Sequence, residues 1–188
     1  MITNRDEDML NWLSEFKLAT TNQINSIFYN NISICNKRLL KLCKDKVVNR
    51  IKDPYSKQYI YYTKRPKSLL QLKHYYIRND FYIKLIQLGC SINNCLVEKK
   101  FGSIIPDLYI SFMYQNKQYT FFVEIERSEQ KINVKKYNRF YVCEYEEFLT
   151  QEIPVIYITH KKIPLCNYCT VVVQENLCNI EDIFNTYS

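Results

Sequence analysis

The stretch "IIPDLYISFMYQNKQYTFFVEIERSEQ", Ile104 to Gln130, decides the fold of the C-terminal part of this 188-residue chain. Two alternating runs rich in β-branched and aromatic residues are joined by "QNK", a pattern that predicts a β-hairpin. A Pro-Asp pair begins the first run, and a Glu-Ile-Glu triplet ends the second. Because side chains alternate between the two faces of a strand, Glu124 and Glu126 are predicted to project from the same face.

Helices and further strands are predicted on both sides of this hairpin. A helical pattern runs from Leu69 to Leu88, and the strand-like run "CLVEKKF" follows it. After the hairpin, an amphipathic helix with Ser128 as its cap extends to Leu149. The runs "PVIYITH" and "CTVVVQ" then predict two more strands before a short closing helix, "NIEDIF". The order of helix, three meandering strands, helix and strand resembles the restriction-endonuclease-like α/β fold, so we expect a mixed sheet.

Three carboxylates at the ends of the hairpin strands suggest a metal site. In nucleases of that fold, an Asp on the second strand and an acid on the third hold Mg²⁺, and a lysine two residues after the acid assists hydrolysis. Asp107 and Glu124 occupy the acidic positions here, but Glu126 stands in the lysine position. Asp107, Glu124 and Glu126 are therefore the candidate Mg²⁺ ligands. Lys131 and Lys135, early in the next helix, are the candidates to replace the missing basic group.

The same carboxylates have two structural interpretations. They either form salt bridges with Lys131, Lys135 or Lys136 in a network that supports the fold, or they do not converge at all. Because the basic group of the nuclease signature is missing, the sequence favours a nuclease-like domain without catalysis. The catalytic alternative is a Mg²⁺-dependent DNA endonuclease or nickase that uses the three carboxylates together with Lys131.

The first third of the chain predicts three helices and a hairpin. Helical periodicity appears in "RDEDMLNWLSEFK", in "TTNQINSIFY" with Thr20 or Thr21 as its cap, and in "ICNKRLLKLCKDK". Two strand-like runs, Val47–Lys52 and Gln58–Thr63, follow and are joined by the turn-forming segment "DPYSK". This order is typical of a winged helix-turn-helix, whose third helix enters the major groove of DNA and whose wing contacts the backbone or the minor groove.

Positive charge is concentrated in this part of the chain. Residues 1–70 contain 13 Lys and Arg against 6 Asp and Glu, whereas residues 71–188 contain 13 of each, so the first 70 residues hold the entire net charge of +7. Such an asymmetry indicates an N-terminal part that faces a polyanion. The residues predicted to contact duplex DNA are Ser33, Asn36, Lys37, Arg38, Lys41 and Lys44 on the third helix and Arg50, Lys52, Lys57 and Lys64 in and after the wing. The alternative is a winged helix that serves as a protein-interaction or dimerisation module.

The chain is predicted to be a cytoplasmic α+β protein with two domains, a winged helix-turn-helix over 1–67 and a nuclease-like α/β domain over 68–188. No run approaches the roughly 18–20 apolar residues of a membrane span, and the acidic N-terminus "MITNRDEDML" does not resemble a signal peptide. Without a secretory signal, the eight cysteines are expected to be reduced. Cys166 and Cys169 have zinc-type spacing, but a structural zinc site needs a second pair.

Four short motifs in a fixed order resemble the replication-relaxation proteins of Gram-positive plasmids and conjugative elements. They are "KRLLKLCKDKVVNR", "LKHYYIRNDFYIKL", the pair "IPDLYI" and "FFVEIERSEQ", and "KKYNRFY". The second motif resembles a His-x(4)-Asn-Asp helix of that family through His74, Asn79 and Asp80, and in the third motif Glu126 replaces an Asp. The resemblance implies a winged helix joined to a degenerate PD-(D/E)XK nuclease-like domain. It also implies an accessory role in plasmid replication, DNA relaxation or mobilisation.

The sequence and this resemblance together predict a sequence-specific double-stranded DNA-binding accessory protein of a plasmid or mobile element. We expect it to act in replication, DNA relaxation, conjugative transfer or their control. Because the DNA sites of such modules are often paired repeats, a homodimer is expected. Relaxase or replication proteins are the further partners that the resemblance implies. No cofactor is expected beyond the Mg²⁺ of the catalytic alternative. A third interpretation is a protein-interaction hub that does not bind DNA.

Overall fold

The computed structural model describes residues 2–66, 71–127 and 131–187. Its contacts divide the chain into two compact units, Met1–Ile83 and Lys84–Ser188. The first unit combines helices with a three-stranded antiparallel sheet, and the second contains helices and a mixed five-stranded sheet, so the predicted α+β class is confirmed. Within the described ranges, no helix combines the length and the hydropathy that a membrane span requires.

Helix α1 (Asn4–Phe16) opens the first unit with a capping box. The Thr3 hydroxyl accepts a hydrogen bond from the Asp6 amide at 3.3 Å, and the Asp6 carboxylate accepts one from the Thr3 amide at 2.7 Å. Met9 and Leu13 are fully buried at the spacing that the sequence predicts. The helix therefore begins where its cap allows, with its apolar stripe in the core.

The second predicted helix forms in two parts. Thr20 caps α2 (Thr21–Ile24), and the chain continues as a π-helical turn over Asn25–Tyr29. Asn30 follows in a left-handed conformation, with a φ of 54°, and ends the turn. Asn tolerates this backbone conformation better than most residues, which explains why the helix stops there.

Helix α3 (Ile32–Lys44) begins two residues earlier than the sequence pattern predicts. Asn31 causes this early start, because its side-chain oxygen accepts hydrogen bonds from the Ser33 and Ile34 amides, both at 3.1 Å. Asn is among the residues preferred at this capping position. The first turn of α3 is thus stabilised locally and does not depend on the apolar stripe alone.

A three-stranded antiparallel sheet lies in the order β1 (Ala19–Thr20), β3 (Tyr59–Tyr62) and β2 (Asn49–Lys52). Strands β2 and β3 form the predicted hairpin, and each is shorter than its sequence pattern. The sequence does not predict β1, because two residues are too few to show an alternating pattern. Pairing of Ala19 with Tyr61 ties the segment between α1 and α2 to the hairpin.

Helix α4 (Leu72–Gln87) holds the end of α1 through buried polar side chains. The Arg78 guanidinium donates to the Phe16 carbonyl at 2.9 Å, and the Asn79 side-chain amide donates to the Leu18 carbonyl at 2.7 Å. The last carbonyls of a helix have no partner within the helix, and side chains commonly satisfy them. The Arg-Asn pair inside "LKHYYIRNDFYIKL" therefore has a structural role.

This packing places the boundary between the units inside α4. Leu72 and Tyr75, in its first turns, are buried in an apolar cluster with Ile60. The first unit therefore extends to Ile83 and does not end at residue 67, where the sequence analysis places the boundary. His74 belongs to this unit as well, half-buried and with its ring edge-on to that of Tyr75 at 6.0 Å.

The second unit is built on a five-stranded sheet whose strands lie side by side in chain order. Its elements are β4 (Ser91–Val97), β5 (Leu108–Tyr114), β6 (Lys117–Ile125), α5 (Lys135–Cys143), a 3-10 turn (Tyr145–Glu147), β7 (Val155–Ile158), β8 (Thr170–Val173) and a closing 3-10 helix (Ile180–Tyr187). Strands β4, β5 and β6 form an antiparallel meander, and β7 and β8 run parallel to β6. The predicted order of meander, helix and strand is present.

Gln115 and Asn116 form the turn between β5 and β6. Both have positive φ values, 47° and 63°. A two-residue turn with this backbone matches the twist of the strands that it joins. The turn is one residue shorter than the predicted "QNK", because Lys117 already pairs with Tyr114.

Helix α5 is shorter than the predicted range of 128–149. Ser128, the predicted cap, lies outside the described residues. Ile132 and Val134 are both buried before the helix begins, and Val134 takes the capping position with a right-handed helical backbone conformation. Tyr137 follows in the helix and is fully buried in an aromatic cluster on the sheet. The apolar pattern thus begins before the helix does and continues through it.

Candidate functional site

One face of α3 is exposed and basic. It carries Ser33, Asn36, Lys37, Lys41 and Lys44, all of them exposed. The opposite side of the helix, formed by Cys35, Leu39 and Leu42, is buried. The structure therefore brings five of the six residues predicted on this helix to one surface, which we call the α3 face.

Arg38, the sixth residue, has a structural partner. Its Nε donates to Oδ1 of Asp6 at 2.8 Å, and its Nη2 contacts Oδ2 of the same carboxylate. Asp6 is 1 % exposed, and the hydrogen bonds from Arg38 and Thr3 hold the pKa of its carboxyl well below the usual range. A buried carboxylate requires such a partner. Arg38 therefore fixes α3 to α1, in place of the predicted DNA contact.

The β2–β3 hairpin is ordered and basic. Arg50, Lys52 and Lys57 lie at exposed positions within it, and Lys64 is exposed just after it. The Arg50 guanidinium lies over the Tyr59 ring, 4.3 Å from its centroid. Asp53 orders the connecting loop, because its carboxylate accepts hydrogen bonds from the Tyr55 amide at 3.0 Å and from the Ser56 hydroxyl at 2.6 Å. The predicted wing residues are thus available to a ligand.

Two kinds of exposed residue in this unit escape the sequence analysis. Leu40 is exposed on the α3 face, where helical spacing from Ser33 and Lys37 could have predicted it. Tyr55 and Tyr59 are exposed aromatic side chains of the hairpin. Alternation in a short strand does not distinguish an exposed tyrosine from a buried one, so the sequence offers no clear signal for Tyr59, whereas Tyr55 lies in the loop between the strands.

Strands β5 and β6 bring Asp107 and Glu124 together. Leu108 pairs with Val123, so the same register places Asp107, one residue before β5, opposite Glu124. Opposite residues of an antiparallel pair project from the same face. The Asp107 carboxylate also accepts a hydrogen bond from the Ile125 amide at 2.8 Å. The predicted acid pair is therefore formed at this end of the sheet.

Two consecutive residues of α5 bind the Glu124 carboxylate. Lys136 Nζ lies 2.9 Å from Oε2, and the Tyr137 hydroxyl donates to Oε1 at 2.6 Å. Glu124 is 5 % exposed. Burial, followed by the charge of Asp107, raises the pKa of Glu124 to about 7, against the opposing effects of Lys136 and Tyr137. The Glu124 carboxyl therefore changes its protonation near neutral pH.

Glu126 does not complete the predicted three-carboxylate site. Strand β6 ends at Ile125, so the alternation on which that prediction depends does not extend to Glu126. The Glu126 amide donates to the Ile158 carbonyl at 3.0 Å. In the described part of the chain, no group of three or more His, Cys, Asp or Glu side chains is suited to hold a metal ion. The carboxylates left for a cation are Asp107 and Glu124.

The basic group beside Glu124 is Lys136, rather than the predicted Lys131 or Lys135. Lys131 lies before α5, and Lys131 and Lys135 are both exposed. Lys136 lies in the first turn of the helix and contacts the carboxylate. Of the structural interpretations that the sequence allows, the salt bridge through Lys136 is the one formed.

The cysteines are free thiols, all eight of them. Cys166 is half-buried and Cys169 is exposed. In the described part of the chain, Cys166 and Cys169 are not joined by further His, Cys, Asp or Glu side chains in a group suited to hold a metal ion. The zinc-type spacing therefore lacks the second pair of ligands among these residues.

Comparison with known proteins gives no relative. The chain matches no protein-family model, no curated protein and no solved structure. The resemblance to replication-relaxation proteins therefore stays a hypothesis, and the functional argument depends on the α3 face and on the Asp107–Glu124 pair.

Proposed function

We propose that this protein binds double-stranded DNA in a sequence-specific manner, with the α3 face and the β2–β3 hairpin as its contact surface. The observation that carries the proposal is the α3 face itself. Three lysines, Lys37, Lys41 and Lys44, share it with the polar side chains of Ser33 and Asn36, while the other side of the helix is buried. A helix with one solvent-facing basic side is suited to the major groove of B-DNA.

The element order supports a winged helix-turn-helix arrangement. Three helices are followed by an antiparallel hairpin, and a two-residue strand between the first two helices joins that hairpin. In winged helices the third helix reads bases and the hairpin contacts phosphates. Lys52 and Lys57 suit the second task, because lysine side chains neutralise phosphates and release counterions.

The Arg38–Asp6 ion pair supports the reading function indirectly. A helix that reads bases must be held in one orientation, since base contacts tolerate little displacement. Arg38 is anchored at both Nε and Nη2, and Asp6 is itself fixed by the capping box with Thr3. In this proposal, Arg38 positions α3, and the lysines and Asn36 contact the DNA.

The resemblance to replication-relaxation proteins extends the proposal to a biological role. The protein would act as an accessory factor of a plasmid or mobile element, in replication, DNA relaxation, conjugative transfer or their control. A homodimer on paired repeats, with relaxase or replication proteins as partners, belongs to the same proposal. DNA pull-down from cells followed by sequencing tests this role, because it distinguishes an origin, a transfer origin and a promoter.

Selection from a randomised duplex pool tests DNA binding and its specificity. The full chain is incubated with the pool at low salt, and bound duplexes are amplified and sequenced. We expect the protein to bind duplex DNA and single-stranded DNA to be a poor competitor for this binding. We also expect the bound duplexes to be enriched in one sequence motif. Retention of no duplex, even at low salt, would show that the α3 face serves another partner.

A second candidate function is Mg²⁺-dependent cleavage of DNA, and the contact of Lys136 with Glu124 favours it. Strand β6 has no lysine at the position where the nuclease signature has one, but Lys136 of α5 places its Nζ 2.9 Å from the Glu124 carboxylate. Asp107 and Glu124 are the type of ligand that Mg²⁺ prefers, because Mg²⁺ in proteins is commonly held by one or two carboxylates together with substrate phosphates. Bound there, the ion would polarise a phosphoryl oxygen and activate water. Lys136 would neutralise charge on the phosphate.

Incubation of supercoiled and linear DNA with Mg²⁺ or Mn²⁺ tests this second candidate. Cleavage is expected to disappear in Glu124→Gln and to weaken in Lys136→Met, because one removes a metal ligand and the other removes the basic group. Glu126→Gln is the matched control and is expected to retain cleavage. Absence of cleavage by the unaltered protein with either metal contradicts this candidate and leaves DNA binding by α3 unaffected.

A further inference from the structure

An apolar side chain stands in the middle of the basic α3 face. Leu40 is 42 % exposed, although its neighbours Leu39 and Leu42 are almost completely buried. It lies three residues after Lys37 and four before Lys44, so the three side chains follow one another along the same side of the helix, about one turn apart. The core does not account for an exposed leucine at this position.

The lysines around Leu40 restrict what can cover it. An apolar protein surface would have to desolvate Lys37, Lys41 and Lys44 without a charged partner, which is costly. A second copy of α3 placed against Leu40 would bring like charges together. A polyanion removes both difficulties, because it neutralises the lysines while they remain partly hydrated. Duplex DNA therefore fits this mixture of charge and apolar surface.

We propose that Leu40 recognises the 5-methyl group of thymine in the major groove, an inference that depends on the proposed binding of duplex DNA. Thymine is the only one of the four bases that presents a methyl group there, and apolar side chains are its usual contacts. Lys37 and Lys44, one turn to either side, reach phosphates or guanine edges. Leu40 thus determines specificity at one base pair, and the lysines supply affinity.

Uracil substitution tests the inference, because uracil pairs like thymine and lacks only the methyl group. A site is first selected with the full chain from the randomised duplex pool. Each thymine of that site is then replaced by uracil, one at a time, and the dissociation constant is measured at fixed salt. We expect about a fourfold loss of affinity at one position, the effect of exposing roughly one buried methyl group.

Two variants assign that loss to Leu40. In Leu40→Ala the thymine and uracil duplexes are expected to bind equally at the sensitive position. Ile34→Ala is the matched control: Ile34 is 53 % exposed on the same helix but about 120° around the axis from Leu40. It is expected to keep the thymine preference. Circular dichroism of both variants checks that α3 remains folded.

The outcomes separate this inference from the proposed function. If duplexes bind but uracil has no effect at any position, the role of Leu40 is overturned and DNA binding is not. The same holds if the pool binds without enrichment of any sequence. A thymine preference that persists in Leu40→Ala also overturns it. Failure to bind any duplex overturns the inference together with the proposed function.

Discussion

Each unit of the molecule buries an acidic residue against a basic one, and the two pairs differ in protonation. The Asp6 carboxylate contacts two guanidinium nitrogens of Arg38, and its pKa lies well below the usual range. The Glu124 carboxylate pairs with the Lys136 ammonium and accepts a hydrogen bond from the Tyr137 hydroxyl, yet its pKa is raised to about 7. Burial disfavours the charged form in both places, but it is the leading cause only for Glu124, whereas the hydrogen bond from Arg38 leads for Asp6.

Burial is the largest cause of the raised Glu124 pKa, and the second carboxylate, Asp107, adds to it. Asp107 lies opposite Glu124 and repels its negative charge, whereas the hydrogen bonds from Arg38 and Thr3 outweigh the burial of Asp6. An ion pair that stays fully ionised behaves as part of the scaffold. A pair of carboxylates whose repulsion is relieved by a proton or by a cation behaves as a ligand site. The comparison therefore assigns structural support to Asp6 and a response to pH to Glu124, and we propose that Glu124 also responds to cations.

The largest expected effect is the loss of stability in Asp6→Ala. Removing one partner of a buried ion pair commonly costs about 3–5 kcal/mol, and we expect about 3 kcal/mol here because Arg38, at 19 % exposed, can turn towards solvent. Urea unfolding followed by fluorescence measures it. The chain has one tryptophan, Trp12, which is buried in the first unit and therefore reports on that unit.

Glu7→Ala is the matched control for Asp6→Ala. Glu7 lies on the same turn of α1 and is exposed, so its replacement is expected to change the free energy of unfolding by less than about 0.5 kcal/mol. If Asp6→Ala costs no more than this control, the Arg38–Asp6 pair does not hold α3 in place.

The next effect is a pH dependence of opposite sign in the two units. Glu124 in the folded protein retains a proton that the unfolded chain releases above about pH 4.5, so the stability of the second unit falls as pH rises from about 4.5 to about 7. The expected change is on the order of 2 kcal/mol. The contribution of Asp6 is instead present above about pH 3.8 and is lost as pH falls through the lower pKa of the folded state.

Glu124→Gln isolates this titration. The amide stays neutral at every pH and can still accept a hydrogen bond from Tyr137. We expect the variant to lose most of the decrease in stability between about pH 4.5 and about pH 7. Urea unfolding by far-UV circular dichroism measures it, with Trp12 fluorescence following the first unit separately. A wild-type stability that rises with pH over this window would contradict the raised pKa of Glu124.

The smallest of the three effects is stabilisation by Mg²⁺. Above pH 7, where Glu124 has lost its proton, Asp107 and Glu124 are expected to bind the ion, and a free concentration ten times the dissociation constant adds about 1.4 kcal/mol to stability. Thermal unfolding with Mg²⁺ or with a chelator measures the shift. Glu126→Gln is expected to keep it and Glu124→Gln to lose it. If wild type shows no shift, Lys136 completes a purely structural network.

Much of the fold follows from local patterns in the sequence. The apolar stripe of α1, the Thr20 cap of α2 and the alternation in β5 and β6 are local properties, and the structure contains these elements. Boundaries depend on more than periodicity: Asn31 caps α3 and moves its start, and α5 begins only at Lys135, after Val134. Strand β1 is too short to leave a pattern.

The sites are harder to predict, because they depend on contacts between distant parts of the chain. Asp107 and Glu124 could be paired from the hairpin register, which is local. The partner of Arg38 is Asp6, 32 residues away, and helical spacing places Arg38 only at the boundary of the exposed face without indicating that partner. Lys136, in the first turn of α5, is the partner of Glu124, and the sequence alone does not distinguish it from Lys131 and Lys135.

The α3 face is the central claim, and the salt dependence of duplex binding tests it most directly. Fluorescence anisotropy with a labelled duplex gives the dissociation constant of the full chain over a range of salt concentrations, for wild type and for a variant with both Lys37→Ala and Lys41→Ala. Lys117→Ala is the control, because Lys117 is exposed in the second unit. We predict that the slope of log affinity against log salt decreases by about 0.9 for each of the two lysines removed and does not change in the control. An unchanged slope and affinity in the double variant would contradict the assignment of α3 as the DNA-reading helix.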